Sequence, residues 1–118
     1  MTIKELVGSY YDGISRKTGW ESPLSGTITF RSPGSSTEGK GAYVAATNGF
    51  LRAVEKASVQ RTIFDGDTGC VWMTYDLISP RGSKTALDVV EIWTASGDLL
   101  QSLTIYFDTA AFASFMRS

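Results

Sequence analysis

The sequence predicts an α+β domain with helices first and a hairpin-linked sheet after them. Three observations carry this reading. An apolar stripe at helical spacing opens the chain, β-branched alternating runs fill its second half, and short glycine-bearing turns separate those runs. The 118 residues suit one domain spanning 1–118, and no linker, repeat or low-complexity tract divides them.

Ile3, Leu6, Val7, Tyr10, Tyr11 and Ile14 recur at i, i+3, i+4, i+7, i+8 and i+11, which places them on one helical face. Thr2 and Glu5 have capping-box spacing, each able to satisfy the other's free amide. The helix is expected to fail near Thr18 and Gly19, with a turn or short second helix over residues 20–24 limited by Pro23. Gly8 costs about 1 kcal/mol in a helix interior and marks a place where another element would approach closely. Residues 27–30 then alternate as a short strand, residues 32–41 read as loop, and a second helix is expected over 42–55. Four strand-like runs follow at residues 57–64, 70–79, 84–95 and 99–107. Their short connections predict an antiparallel meander, and residues 109–116 close as a helix capped by Asp108 or Thr109.

Composition excludes several functions. Histidine is absent, so Ser-His-Asp and Cys-His catalysis, histidine-ligated zinc and imidazole pH switches are out of reach. A net charge of −1 supplies no field for nucleic acid or an anionic membrane. With 42% hydrophobic residues the chain can build a core, yet no run reaches the ~18 apolar residues of a membrane span. Cys70 stands alone, reads as a buried small hydrophobe and suits a reducing compartment; a cytoplasmic location is expected. Gly34–Gly41 nearly spells a P-loop, but Gly41 stands where a magnesium-binding Ser or Thr belongs. Asp65-Gly66-Asp67 is a hairpin turn, lacking the spread of ligands a calcium loop needs. No metal or cofactor is expected.

Glu91 stands out because it lies mid-strand in Leu87-Asp88-Val89-Val90-Glu91-Ile92-Trp93, where an unpaired charge is costly. Facing the helices, it would be desolvated and titrate near neutrality; the alternative is a cross-strand ion pair with Arg61, Arg81 or Lys84. Tyr10 and Tyr11 are core aromatics, or one of them presents its hydroxyl to a cavity. Trp20, Phe30, Phe50, Trp72, Trp93 and Tyr106 exceed what a small core requires, so some of them are expected to line an apolar ligand pocket. Asp108 is a helix cap or a pocket carboxylate, and Asp76 faces either the pocket or solvent. Both faces of the last strands are apolar, which suggests a homodimer formed through the outer sheet face, with Ile105 placed on that face.

The order of elements resembles the NTF2-like superfamily, in its SnoaL-like and ketosteroid-isomerase-like branch. The resemblance is carried by Val7-Gly8-Ser9-Tyr10-Tyr11, by Phe30-Arg31-Ser32-Pro33, and by Gly41-Ala42-Tyr43 with Gly49-Phe50. The closing hairpin from Val90-Glu91-Ile92-Trp93 to Ile105-Tyr106-Phe107-Asp108 completes it. It implies a cone, a curved antiparallel sheet of one short first strand plus the four-strand meander wrapped around the N-terminal helices. It also implies an apolar cavity in the cone's mouth and dimerisation through the outer face. Tyr10 resembles the isomerases' oxyanion-hole tyrosine, and Glu91 their oxyanion-hole acid. Ser32 stands where that branch carries its general-base aspartate, and Val89 where the epoxide-hydrolase branch carries arginine.

The expected site is therefore a pocket for a small hydrophobic molecule lined by Trp20, Phe30, Phe50, Trp93, Tyr106 and Asp108. Glu91 and Tyr10 would serve isomerase-, cyclase- or dehydratase-like proton transfer beside a carbonyl. The alternative on the same fold is a non-enzymatic ligand-binding or protein-interaction module.

Overall fold

The structure, a computed structural model, describes residues 1–118. Its elements run α1 (Ile3–Arg16), β1 (Leu24–Ser32), β2 (Ser35–Glu38), α2 (Lys40–Leu51), β3 (Val54–Asp65), β4 (Thr68–Ile78), β5 (Lys84–Ser96), β6 (Leu99–Phe107) and α3 (Thr109–Met116). All strands join one sheet in the order β2-β1-β6-β5-β4-β3.

The N-terminal stripe folds as its spacing requires. Thr2 Oγ1 accepts the Glu5 amide at 3.2 Å and Glu5 Oε1 accepts the Thr2 amide at 2.9 Å, closing the capping box. Every residue of the stripe is buried, each contributing about 1.5–3 kcal/mol of apolar burial. The helix stops at Arg16, because Lys17 turns left-handed at φ 56° and sends its Nζ to the Val54 carbonyl at 2.5 Å. The following segment is a run of turns, with no second helix.

The close approach expected at Gly8 occurs at Gly13 instead. A Cβ on Gly13 would lie 2.6 Å from the Trp20 backbone, whereas one on Gly8 would meet nothing within 4 Å. The glycine is thus needed where the chain folds back across the helix end.

The sheet departs from an all-antiparallel meander. β3 through β6 are hairpin-linked as expected, but β1 pairs with β6 in parallel, and β2 pairs antiparallel with β1. Hairpin signals report only neighbours in sequence, so a pairing between the first and last strands leaves no local trace. The segment read as loop holds β2, joined to β1 through Pro33 and Gly34. α2 ends at Leu51, and Val54 and Glu55, counted with that helix, begin β3.

One bulge decides which residues face the interior. Counting back from the Gly97–Asp98 turn, Ser96 opposes Leu99 and Ala95 opposes Leu100; uninterrupted, that register would oppose Glu91 to Thr104 and put Ile105 beside Val90. The ladder instead skips Gln101, so Thr94 opposes Ser102 and Glu91 opposes Ile105. Ile105, expected on the outer face, therefore points inward with Leu103 and Phe107. Further irregularities in β1 and β3 bend the sheet around the helices.

The outer face keeps a line of apolar groups. Register aligns Arg61, Trp72, Val90 and Tyr106 across four strands. Trp72 is 45% exposed, Val90 39% and Tyr106 52%, with Ile63 beside them at 57%. Cys70, read as buried, is half-buried on this face, opposite Ile92. No helix is long and apolar enough to cross a membrane.

Candidate functional site

The concave side of the sheet and the helices enclose a cavity of about 220 Å³. α1 contributes Tyr10 and Ile14, and α2 contributes Tyr43, Thr47 and Phe50. β4 adds Tyr75, β5 adds Leu87, Val89 and Glu91, and β6 adds Leu103, Ile105 and Phe107. Phe112 of α3 closes one side, its ring 5.5 Å from that of Phe107. The wall carries one ionisable carboxyl, Glu91, and no lysine or arginine.

Glu91 owes its place to strand parity. Leu87, Val89, Glu91 and Trp93 alternate inward from β5, and Glu91 is only 5% exposed. Its Oε1 accepts the Tyr11 hydroxyl and its Oε2 accepts the Tyr75 hydroxyl at 2.7 Å. The Tyr11 oxygen in turn accepts the Trp93 indole N–H at 2.8 Å. The indole nitrogen can only donate, so Tyr11 accepts from Trp93 and has its own proton to give to Oε1. Burial pushes the Glu91 carboxyl up to about 7, held back from rising further by the hydrogen bonds from Tyr11 and Tyr75. Tyr11 and Tyr75 are themselves raised above the ordinary phenol range, first by burial and then by the neighbouring Glu91 charge.

A second polar pair sits on the cavity wall. The Tyr10 and Tyr43 hydroxyls stand 2.6 Å apart, and burial raises both above the ordinary phenol range. One proton joins the two oxygens, and Thr47 is a further hydrogen-bond partner of Tyr43.

Several expectations meet this geometry directly. Glu91, Phe30 and Phe50 line the cavity, and so does Ser32. The ion-pair alternative for Glu91 fails: Lys84 pairs with Glu55 at 3.4 Å, and neither Arg61 nor Arg81 is on the cavity wall. Tyr10 reaches the cavity but bonds Tyr43, and it is Tyr11, one helical position on, that grips Glu91.

Four expected pocket residues lie elsewhere. Trp20 is packed solid beneath the Tyr10 and Tyr43 rings, and Trp93 sits fully buried behind Glu91. Tyr106 points outward, since the bulge gives its strand the opposite parity. Asp108 caps α3, its Oδ1 accepting the Ala111 amide at 2.9 Å.

Sequence reasoning missed Tyr43 and Tyr75. Tyr75 shares the inward parity of Val71, Met73 and Leu77, a signal that was available. Tyr43 becomes legible as a cavity residue only once α2 is laid across the sheet.

No family model matches the chain, and no curated protein matches it. Solved structures do. An NTF2-like protein of Burkholderia thailandensis superposes with a TM-score of 0.90 over 100% of this chain and 99% of its own, at 15% identity. TerC, co-crystallised with polyporic acid, gives 0.88 over 98% of both chains at 21% identity. A Jannaschia protein described as a SnoaL-like polyketide cyclase gives 0.86 over 98% of this chain and 92% of its own, at 14% identity. Three helices, a curved open sheet of mixed direction and these superpositions together identify the fold of the chain as the NTF2-like α+β cone.

Proposed function

We propose that the cavity binds a small hydrophobic molecule and that Glu91 moves a proton at a carbon beside the ligand's carbonyl, as in isomerisation, cyclisation or dehydration. The observation that carries this is a lone carboxyl, titrating at about 7, on a mostly apolar wall. A base of that strength is half-available at neutral pH, close to the optimum for general acid–base work. The hydroxyls of the Tyr10–Tyr43 pair would support the developing enolate oxygen. Ser32 offers no carboxylate, so Glu91 both takes the proton from carbon and returns it to the next conjugated position.

The test is turnover of a β,γ-unsaturated cyclic ketone to its conjugated isomer. Wild type is expected to convert it, and Glu91→Gln to bind it without turnover. Conversion undiminished in Glu91→Gln would overturn the assignment. A non-enzymatic binder on the same fold is the second reading, favoured because both Glu91 oxygens are already engaged by tyrosines. Ligand binding by wild type with no turnover would select it.

Two further readings belong here. The outer-face line of Trp72, Val90 and Tyr106 supports a homodimer through the sheet, since so continuous an apolar surface is costly to leave wet. The lone, half-buried Cys70 supports a cytoplasmic location.

A further inference from the structure

The polar end of the cavity is arranged around a carboxyl that has no cationic partner in the protein. Tyr11 and Tyr75 each direct a hydroxyl at a different Glu91 oxygen, and the Tyr11 oxygen accepts the Trp93 indole N–H. Two convergent donors complement a carboxylate, an acceptor at both oxygens, better than an acid that must itself donate from one. The groups facing Glu91 supply no opposite charge. They are Tyr10 and Tyr11 from α1, Tyr43 from α2, Tyr75 from β4 and the neutral Trp93 beside it, while β6 presents only Leu103, Ile105 and Phe107. No lysine or arginine lines the cavity, and three cations of neighbouring segments are engaged elsewhere: Arg16 with Asp12 at 2.5 Å, Lys17 with the Val54 carbonyl, and Lys84 with Glu55.

Aromatic rings line much of the rest of the wall. Phe30 with Tyr43, Phe50 with Tyr75, and Phe107 with Phe112 pair edgewise or tilted at centroid separations of 5.4, 5.1 and 5.5 Å around the space. Aromatic rings that surround a dry cavity stabilise organic cations through their negative faces. A cavity of roughly 150 Å³ takes benzene, so about 220 Å³ accommodates one ring with a short substituent.

From this geometry we infer that the cavity selects a small aromatic or alicyclic amine, whose protonated nitrogen is the missing counter-ion of Glu91. The inference rests on the ligand-pocket reading above and is independent of proton transfer at carbon. No electron transfer or bond to carbon is involved. The ammonium enters with its proton, or the neutral amine accepts the one that Glu91 holds. Because the carboxyl titrates at about 7, selection for an amine strengthens as pH rises through neutrality and persists until the amine itself deprotonates near about pH 10.

The test uses three probes of matched size: 2-phenylethylamine, 2-phenylethanol and phenylacetate, each titrated calorimetrically into wild type. At about pH 8 the amine is expected to bind roughly 10–150-fold more tightly than the alcohol, the range a charge-assisted hydrogen bond supports, and phenylacetate most weakly. At about pH 5.5, below the Glu91 titration, the amine's advantage is expected to vanish while the alcohol's affinity holds. Glu91→Gln, checked for native circular dichroism, is expected to lose the same advantage. The wild-type pH comparison stands by itself should that variant fail to fold. Alcohol binding as tight as amine binding at the higher pH, or an advantage that survives at the lower pH, overturns the inference and leaves the pocket reading intact. Binding of none of the three overturns both.

Discussion

Moving from acid to mildly alkaline pH should destabilise this protein through one side chain. The Glu91 carboxyl titrates at about 7 in the folded chain against 4.5 for an ordinary glutamate, because folding strips its water and the Tyr11 and Tyr75 hydroxyls restore only part of the loss. Below about pH 4.5 the group is protonated in both states and its contribution is complete. Between about pH 4.5 and 7 the folded chain keeps a proton that the unfolded chain releases, so stability falls as pH rises. Above the folded value the contribution is fully lost. At about 1.4 kcal/mol for each tenfold change in acidity, the loss is on the order of 3 kcal/mol. That is a large share of the ~5–15 kcal/mol typical of a domain, and corresponds to roughly 10 °C in Tm at this size.

Urea unfolding followed by tryptophan fluorescence measures it, at a series of pH values, for wild type and Glu91→Gln. Taking the difference between the two proteins cancels Glu5 and Asp98. Their carboxyls are held low, Glu5 first by the Thr2 amide and Asp98 first by its hydrogen bond from the N-terminal amine, and their stabilisation is lost toward acid instead. Wild type should lose stability relative to Glu91→Gln between about pH 4.5 and 7 and level off above it. A constant difference over that interval, or one that grows in favour of wild type, would refute the reasoning.

Other perturbations have opposed outcomes that make them informative. Tyr11→Phe should cost about 2–5 kcal/mol, since it strips a donor from Glu91 and orphans the Trp93 indole, whereas Tyr10→Phe removes one hydroxyl pair and should cost about 1 kcal/mol; chemical denaturation compares them. Gly13→Ala should destabilise by about 1–3 kcal/mol, its methyl meeting the Trp20 backbone, while Gly8→Ala, with open space around it, should stabilise by about 0.5–1 kcal/mol in thermal melts. Trp72→Glu should yield monomers in analytical ultracentrifugation, and an unchanged sedimentation coefficient would remove the outer-face dimer.

Much of this was legible in the residues. α1 announces itself because cap, stripe and stop all agree, and Glu91 does so because a charge in a buried-strand pattern must have a reason. The β3–β6 hairpins follow from turns whose glycines Gly66, Gly82 and Gly97 take positive φ. What escaped was non-local. The parallel pairing of β1 with β6 has no turn to signal it, and the extra residue at Gln101 reverses the faces of Ile105 and Tyr106 without altering the alternation on either side. Aromatic type alone could not separate Phe30 and Phe50, on the cavity wall, from Trp20 and Trp93, which fill the core behind it. The two tyrosines of α1 differ by one helical position, and only the registered sheet shows which of them reaches Glu91.

Methyl-resolved NMR tests most directly whether the cavity that Glu91 lines admits a ligand. With 2-phenylethylamine or acetophenone added, the methyl resonances of Leu87, Val89, Leu103 and Ile105 should shift together and saturate, while those of Ile63 and Ile92 on the outer face stay fixed. Shifts confined to the outer face, or none at any methyl, would contradict it.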